Sequence, residues 1–283
     1  MKHANVLMKV SERCPLECLY CYEGDKSPRV MDQKTLENSV RILETRNDVK
    51  STSYIWHGSE PLTAGIEFYK KVRELQKPYE KHHVIKNGMQ SNGVLLTPKL
   101  ADFFIEENIG FGLSLDGPEH IHEKTRPYTN GRKTSFKDTM YAIELMSERG
   151  KRPGVIAVLT KLSLPYLDEM YDFFKENKLN FKINPLIECG FAIGNQELAL
   201  TNKEVTTSLT YLFDKWFLDQ NNAARIEYGN MMSIAQAIFT KGGTPCNMME
   251  NCQDSFLGIG AEGTIYPCSR YSSPEFSYGN INE

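Results

Sequence analysis

The chain has 283 residues, a formal net charge of −3, 24% charged residues and 40% hydrophobic residues. That composition excludes wholesale disorder and collagen-like repetition, provides no global attraction to nucleic acid or acidic membranes, and suits one large domain or a medium and a small one. The longest uninterrupted apolar run, Val155–Leu159, is five residues, against the roughly 20 that span a bilayer.

The first residues, Met1-Lys2-His3-Ala4-Asn5, carry no cleavable signal pattern and lead into a strand-like run over 5–10. From there apolar, β-branched runs alternate with amphipathic stretches. A helix is expected over 33–45, a strand over 53–57, a helix over 65–75, and a strand over 83–85 that continues towards residue 90. Thr97 before Pro98 reads as an N-cap followed by proline at the first helical position, so a helix is expected over 98–107. A strand over 111–115, a helix over 136–149 and a strand over 155–160 follow. Over 164–177, Leu164, Leu167, Met170, Tyr171 and Phe174 share one helical face, and a strand over 181–186 comes next.

Strands alternating with helices point to parallel strands joined by right-handed crossovers. The count falls short of a closed (β/α)8 barrel. An open or partial barrel fits it, and a doubly wound sheet competes. In either architecture ligands gather beyond the C-terminal ends of the strands. After residue 190 the pattern changes: helices are expected over 203–218 and 231–240, Gly242-Gly243-Thr244-Pro245 is a break, and 246–283 shows no helical period.

Seven cysteines without a signal peptide argue against a disulfide framework and for a cytoplasmic protein. Cys14, Cys18 and Cys21 follow the first strand directly, and Cys246, Cys252 and Cys268 cluster near the other end. Three thiolates at the first spacing can hold three irons of a 4Fe–4S cluster and leave one iron open to a substrate or cofactor. Structural zinc is closed by a full tetrahedral set, and no fourth Cys or His lies nearby. Pro15 disfavours a shared helical face as the explanation.

Cys-x3-Cys-x2-Cys with Tyr20 before the last cysteine resembles the signature of the radical SAM superfamily. The resemblance implies a partial (β/α)6 barrel, within an α/β fold, and a site-differentiated 4Fe–4S cluster on Cys14, Cys18 and Cys21. The open iron of that cluster would chelate S-adenosylmethionine (SAM). Trp56-His57-Gly58-Ser59-Glu60-Pro61 resembles the family's Gly-Gly-Glu-Pro motif, with Ser59 in place of the second glycine. Exposed backbone there and the Glu60 carboxylate would accept from the SAM ammonium. Gln90-Ser91-Asn92-Gly93 and Ser114-Leu115-Asp116-Gly117-Pro118 end the third and fourth expected strands. Strand alternation puts Ser114 and Asp116 on one face. By resemblance to the peptide-modifying branch, typified by anaerobic sulfatase-maturating enzymes, Tyr20, His57, Gly58, Ser59, Glu60 and Asn92 belong to the cofactor pocket. Ser114 would contact the SAM ribose or carboxylate, Arg126 the carboxylate, and Leu186 would pack the adenine. Asp116 could act as the catalytic base, although its place beside Ser114 favours a role in the SAM pocket.

Cys246-x5-Cys252-x10-Gly263-x4-Cys268 resembles the opening of a SPASM domain, the auxiliary-cluster module of that branch, and 263–268 reads as one arm of a hairpin. Zinc is the competing occupant. The family places further cysteines beyond residue 281, so one auxiliary Fe–S cluster would be one ligand short. The implied organisation is a barrel over 1–190, a helical connection over 191–245 and the start of the module over 246–283. With no leader-binding domain before the first strand, a peptide would be met by the barrel mouth, the module or another chain.

The implied activity is a 5′-deoxyadenosyl radical modifying a residue of a ribosomally made peptide or a protein by crosslink, oxidation or epimerisation. An external flavodoxin- or ferredoxin-like donor would supply the electron. The alternatives are sulfatase maturation itself and a non-catalytic metal-binding scaffold. In sulfatase-maturating enzymes an Asp after an Ile-x-Tyr-x stretch is the candidate base; the matching stretch here is Ile226-Glu227-Tyr228-Gly229-Asn230, and an amide has no basic site near neutral pH. Cys189 is expected to be a spectator thiol, His82, His83 and His120 surface residues, and Phe103, Phe104, Tyr171, Phe173 and Phe174 helix–sheet core.

Overall fold

The computed structural model describes residues 2–24, 26–219, 226–240, 256–268 and 271–283. Six strands come first: β1 (Lys2–Ser11), β2 (Val49–Gly58), β3 (Val84–Ser91), β4 (Gly110–Ser114), β5 (Val155–Leu159) and β6 (Phe181–Pro185). Each is parallel to the next. The crossovers carry α1 (Gln33–Glu44), α2 (Gly65–Gln76), α3 (Pro98–Glu106), α4 (Glu119–Thr125), α5 (Ser135–Glu148) and α6 (Leu167–Glu176). Then come α7 (Asn202–Leu218), α8 (Gly229–Thr240), β7 (Phe256–Ile259) and β8 (Ile265–Tyr266). The sheet order is β6-β5-β4-β3-β2-β1-β7-β8. It ends at β6 on one side and β8 on the other. The barrel of β1 to β6 is therefore open, a mixed α/β fold with a parallel sheet. Among the described residues no helix is long and apolar enough to cross a membrane.

Both faces of β1 are covered, as a parallel strand requires: Val6, Met8 and Val10 are fully buried, and Leu7 and Lys9 nearly so. Helix starts follow local chemistry. The Asp32 carboxylate accepts from Thr35 N at 2.7 Å to cap α1, and the Thr97 hydroxyl caps α3 ahead of Pro98. Thr201 and Glu204 form a reciprocal capping box at α7. Phe104, Tyr171 and Phe174 are buried between helix and sheet, with Phe103 and Phe173 packed beside them.

Three elements depart from the sequence pattern. α4 has no apolar period, and Ile121 is its one buried hydrophobic residue. β7 joins the sheet by pairing parallel to β1, and β8 returns antiparallel to β7, so the expected hairpin is present as part of the main sheet. His83 is not a surface residue: its Nδ1 lies 3.0 Å from a carboxylate oxygen of buried Glu44, while His82 and His120 are exposed.

At the C-terminal ends of β1 and β2 the backbones approach too closely for a side chain. Gly58 has φ +108°, and a Cβ there would lie 2.5 Å from the Ser11 carbonyl oxygen. Behind the sheet, the fully buried Phe174 ring stacks on Phe181 at 4.9 Å, which stacks in turn on Tyr228 at 4.9 Å. Phe174→Ala removes the ring at the α6 end of that stack. We expect a loss of about 3–5 kcal/mol in denaturant-induced unfolding. A loss under about 1 kcal/mol would mean that the stack does not hold α6 to β6.

Candidate functional site

A cavity of about 300 Å³ opens at the C-terminal ends of the barrel strands. The loop after β1 brings Cys14, Cys18, Tyr20 and Cys21 to it. His57, Gly58, Ser59 and Glu60 arrive from the end of β2, Asn92 from β3 and Ser114 from β4. Arg126 and Leu186 complete the set of sequence-expected residues along its wall. Cys246 and Cys252 lie outside the described residues. Cys268 is partly buried just beyond β8.

The three thiols share one wall without forming a disulfide. Burial pushes Cys14 up to about 12 and Cys18 up to about 11, so both are neutral unless a cation ionises them. Donors already point at the sulfurs: Leu16 N lies 3.4 Å and Asn92 Nδ2 3.5 Å from Cys14 Sγ, and Lys26 Nζ lies 2.8 Å from Cys21 Sγ. Among the described residues no three His, Cys, Asp or Glu side chains are arranged around a single ion. A 4Fe–4S cluster takes one thiolate per iron and makes no such demand. The donor set fits that group.

Glu60 is fully buried. Its carboxylate accepts from Ser91 Oγ at 2.7 Å, Asn92 N at 2.8 Å and Leu62 N at 3.0 Å. The Ser91 and Asn92 bonds clasp the end of β2 to the end of β3, and the Leu62 bond caps the turn after β2. Burial pushes the Glu60 carboxyl up to about 7, against the pull of those donors. A carboxylate has about four acceptor positions, so one remains for a cationic ligand. The Tyr22 hydroxyl lies 3.2 Å from His57 Nδ1, and burial lowers the His57 pKa. Ser114 accepts from Gln90 Nε2 at 3.1 Å.

Asp116 corrects an expectation. It does not line the cavity; it is fully buried behind Arg126. Its carboxylate accepts from Arg126 Nε at 3.0 Å and Nη2 at 3.2 Å, Thr125 Oγ1 at 2.6 Å, Val158 N at 3.0 Å, and the Tyr20 hydroxyl. Burial opposes its charge, but Arg126 and these donors prevail and hold the carboxyl below its usual range. A group with every lone pair engaged has no site for a substrate proton. Burial pushes neighbouring His122 down to about 3, so it is neutral and accepts from Asp116 N at 3.4 Å.

Residues 8–174 match the radical SAM superfamily, more than half of the chain. The chain belongs to the radical SAM superfamily. Within it, the chain stands close to the anaerobic sulfatase-maturating enzymes. It is 30% identical to the cysteine-type anaerobic sulfatase-maturating enzyme of Clostridium perfringens, over 100% of this chain and 79% of that one. It is 28% identical to the serine-type enzyme of Bacteroides thetaiotaomicron, over 95% of this chain and 69% of the relative. The solved structure described as native anSMEcpe with bound AdoMet and Cp18Cys peptide superposes with a TM-score of 0.89 at 28% identity, covering 100% of this chain and 78% of the other.

Asn230 of this radical SAM chain sits at the start of α8, turned to the edge of the sheet. Its side-chain Nδ2 donates to the Ile183 carbonyl at 2.8 Å, and its Oδ1 accepts from Ile183 N at 2.8 Å. The amide acts as a short piece of strand on the open edge of β6. Neighbouring backbone continues the pairing, with Phe181 N donating to the Glu227 carbonyl at 3.0 Å.

Several cavity residues escape the sequence reading. Cys189, expected to be a spectator thiol, lines the wall. It follows β6, where the rule on strand ends could have found it. Tyr22, Glu23 and Lys26 also line the cavity, and no spacing marks them. The loop bearing Cys189 is locked onto the first cysteine loop. Phe191 N donates to the Cys21 carbonyl at 3.0 Å, and a Cβ on Gly190, at φ +54°, would lie 2.2 Å from that oxygen.

The Asp116–Arg126 pair gives a direct test. Asp116→Asn leaves a buried guanidinium uncompensated and should cost about 3–5 kcal/mol of stability. Asp116→Asn combined with Arg126→Met should cost less than the single change, read by thermal and urea unfolding. A double variant at least as unstable as Asp116→Asn would show that the charge pair is not what the site relies on.

Proposed function

We propose that the chain is a peptide- or protein-modifying radical SAM enzyme whose cavity holds a site-differentiated 4Fe–4S cluster and SAM. The observation that carries this reading is the meeting of Cys14, Cys18 and Cys21 with the ends of β2, β3 and β4 and with Leu186 around one cavity. When bound, the cluster and SAM supply a 5′-deoxyadenosyl radical that abstracts a hydrogen atom from the substrate. Three cysteines hold the cluster. The fourth acceptor position of Glu60, with the backbone of Gly58 and Ser59, receives the SAM ammonium. Ser114, Asn92 and the edge of Arg126 turned away from Asp116 hold its polar groups, and Leu186 packs the adenine. Leu186 sits in a small apolar cluster with Tyr20, Ala192 and Leu198, which suits a flat ring. Asp116 holds Arg126 and Tyr20 in place and is not the base.

The substrate class follows from the relatives, named for maturation of a protein, and from the peptide present in the solved structure. The reaction needs an external one-electron donor of the flavodoxin or ferredoxin kind. Residues 1–190 form the catalytic unit, and Cys246, Cys252 and Cys268 are the ligands of an auxiliary cluster. Aldehyde formation is the second reading, favoured by the similarity over the full chain. Against it stands Asn230, whose amide is spent on Ile183 at the sheet edge.

Mass spectrometry separates the readings. The reconstituted full chain is incubated anaerobically with SAM, a reductant and a sulfatase-motif peptide carrying Cys or Ser. We expect 5′-deoxyadenosine without the aldehyde mass change on the peptide. Aldehyde formation coupled to SAM consumption would make sulfatase maturation the function.

A further inference from the structure

One charge on the cavity wall has no part in the reading above. Lys26 is partly buried, lies in the loop that carries the cysteines, and lines the cavity. Its Nζ donates to Cys21 Sγ at 2.8 Å and reaches Ser59 Oγ at 3.5 Å. The other donors on these sulfurs, Leu16 N and Asn92 Nδ2, are neutral amides. Among the described residues the Lys26 ammonium forms no ion pair with a carboxylate. Arg126, the other cation on the wall, is balanced by Asp116 at 3.0 Å. Lys26 is therefore a charge presented to a sulfur with, among the described residues, no carboxylate in ion-pair contact. Ser59, which stands where the resembling motif has glycine, supplies the hydroxyl that seats it.

We propose that Lys26, seated on Ser59, is a positioning residue that acts through Cys21 to raise the reduction potential of the cluster held by Cys14, Cys18 and Cys21. The inference rests on the cluster reading given above. An iron-bound thiolate keeps lone pairs that accept hydrogen bonds, and a bond from a cation is about twice as strong as one from a neutral donor. One electron from an external low-potential donor adds one negative charge, shared among the irons and their sulfurs. A cation fixed against one of those sulfurs stabilises the reduced form more than the oxidised form. No bond to Lys26 is made or broken, and its proton stays on Nζ. Lysine suits this place because a compact charge on a flexible stem can touch a sulfur and a hydroxyl together.

The test is an electron-paramagnetic-resonance-monitored redox titration of the reconstituted full chain without SAM. The relevant signal is identified by its loss in Cys14→Ala. Lys26→Met should move that midpoint to a more negative potential with iron content unchanged. Lys26→Arg should retain most of the parent midpoint, and Ser59→Gly should give a smaller shift in the same direction as Lys26→Met. A Lys26→Met protein with full iron and the parent midpoint overturns the proposal. So does a Lys26→Arg shift equal to that of Lys26→Met, which would assign the effect to lost packing. If Lys26→Met fails to load iron, Ser59→Gly decides, and an unchanged midpoint there overturns the proposal. If the parent gives no signal that depends on Cys14, the cluster reading itself falls, and this inference with it.

Discussion

A single buried carboxylate organises the working end of the barrel. Asp116 lies just past β4 and accepts from Tyr20 in the cysteine loop, from Thr125 and Arg126 at the end of α4, and from Val158 N in β5. Three separate segments of chain meet on its two oxygens. None of these donors could be left unpaired in a dry interior without cost. The arrangement fixes Arg126 against the cavity wall, with its guanidinium carbon 5.3 Å from the Tyr20 ring centroid. It also anchors the cysteine loop at Tyr20, between Cys18 and Cys21. The cysteine loop thus needs no regular secondary structure of its own.

The second constraint is burial at Cys14, Cys18 and Glu60. Burial keeps Cys14 and Cys18 protonated in the absence of a cation and raises the Glu60 carboxyl towards neutrality. Such a site is poorly matched to empty solvent and well matched to a ligand that brings positive charge, as iron and a sulfonium amino acid both do. Glu60 gains in the same way: two of its acceptor positions tie β2 to β3, a third caps the turn at Leu62, and the fourth faces a place where a cation would restore its charge. The open edge of the barrel is managed separately. Asn230 and the backbone of Glu227 pair with β6, so the strand that leads to Leu186 and Cys189 is not a bare edge.

Much of this was legible in the sequence because parallel strands and their crossover helices carry strong periodic signals. β5 and α1 match their apolar patterns closely, and Thr97-Pro98 marks the start of α3. β2 extends to Val49, earlier than its apolar run, because 50–53 is polar and only neighbouring strands reveal the pairing. α4 was illegible for the same reason: it is seven residues long and held by Asp116 through Thr125 and Arg126. β7 depends on a parallel partner some 250 positions away in sequence, which no local pattern shows. At the site, the cysteines, the β2 motif and Ser114 could be read because spacing and strand-end position mark them. The role of Asp116 could not. Alternation placed it inward, but only three dimensions show that Arg126 comes between it and the cavity. Lys26, Cys189 and the seat of His83 on Glu44 are likewise tertiary facts.

The central claim is that the three cysteines of the β1 loop support radical chemistry on SAM. Its most direct measurement is the rate of 5′-deoxyadenosine release by the anaerobically reconstituted full chain with SAM and a reductant, compared with the variant in which Cys14, Cys18 and Cys21 are all alanine. The account predicts steady release by the parent and none above the protein-free background by the variant. Equal release by both proteins, or no release by a parent carrying its full iron, would contradict it.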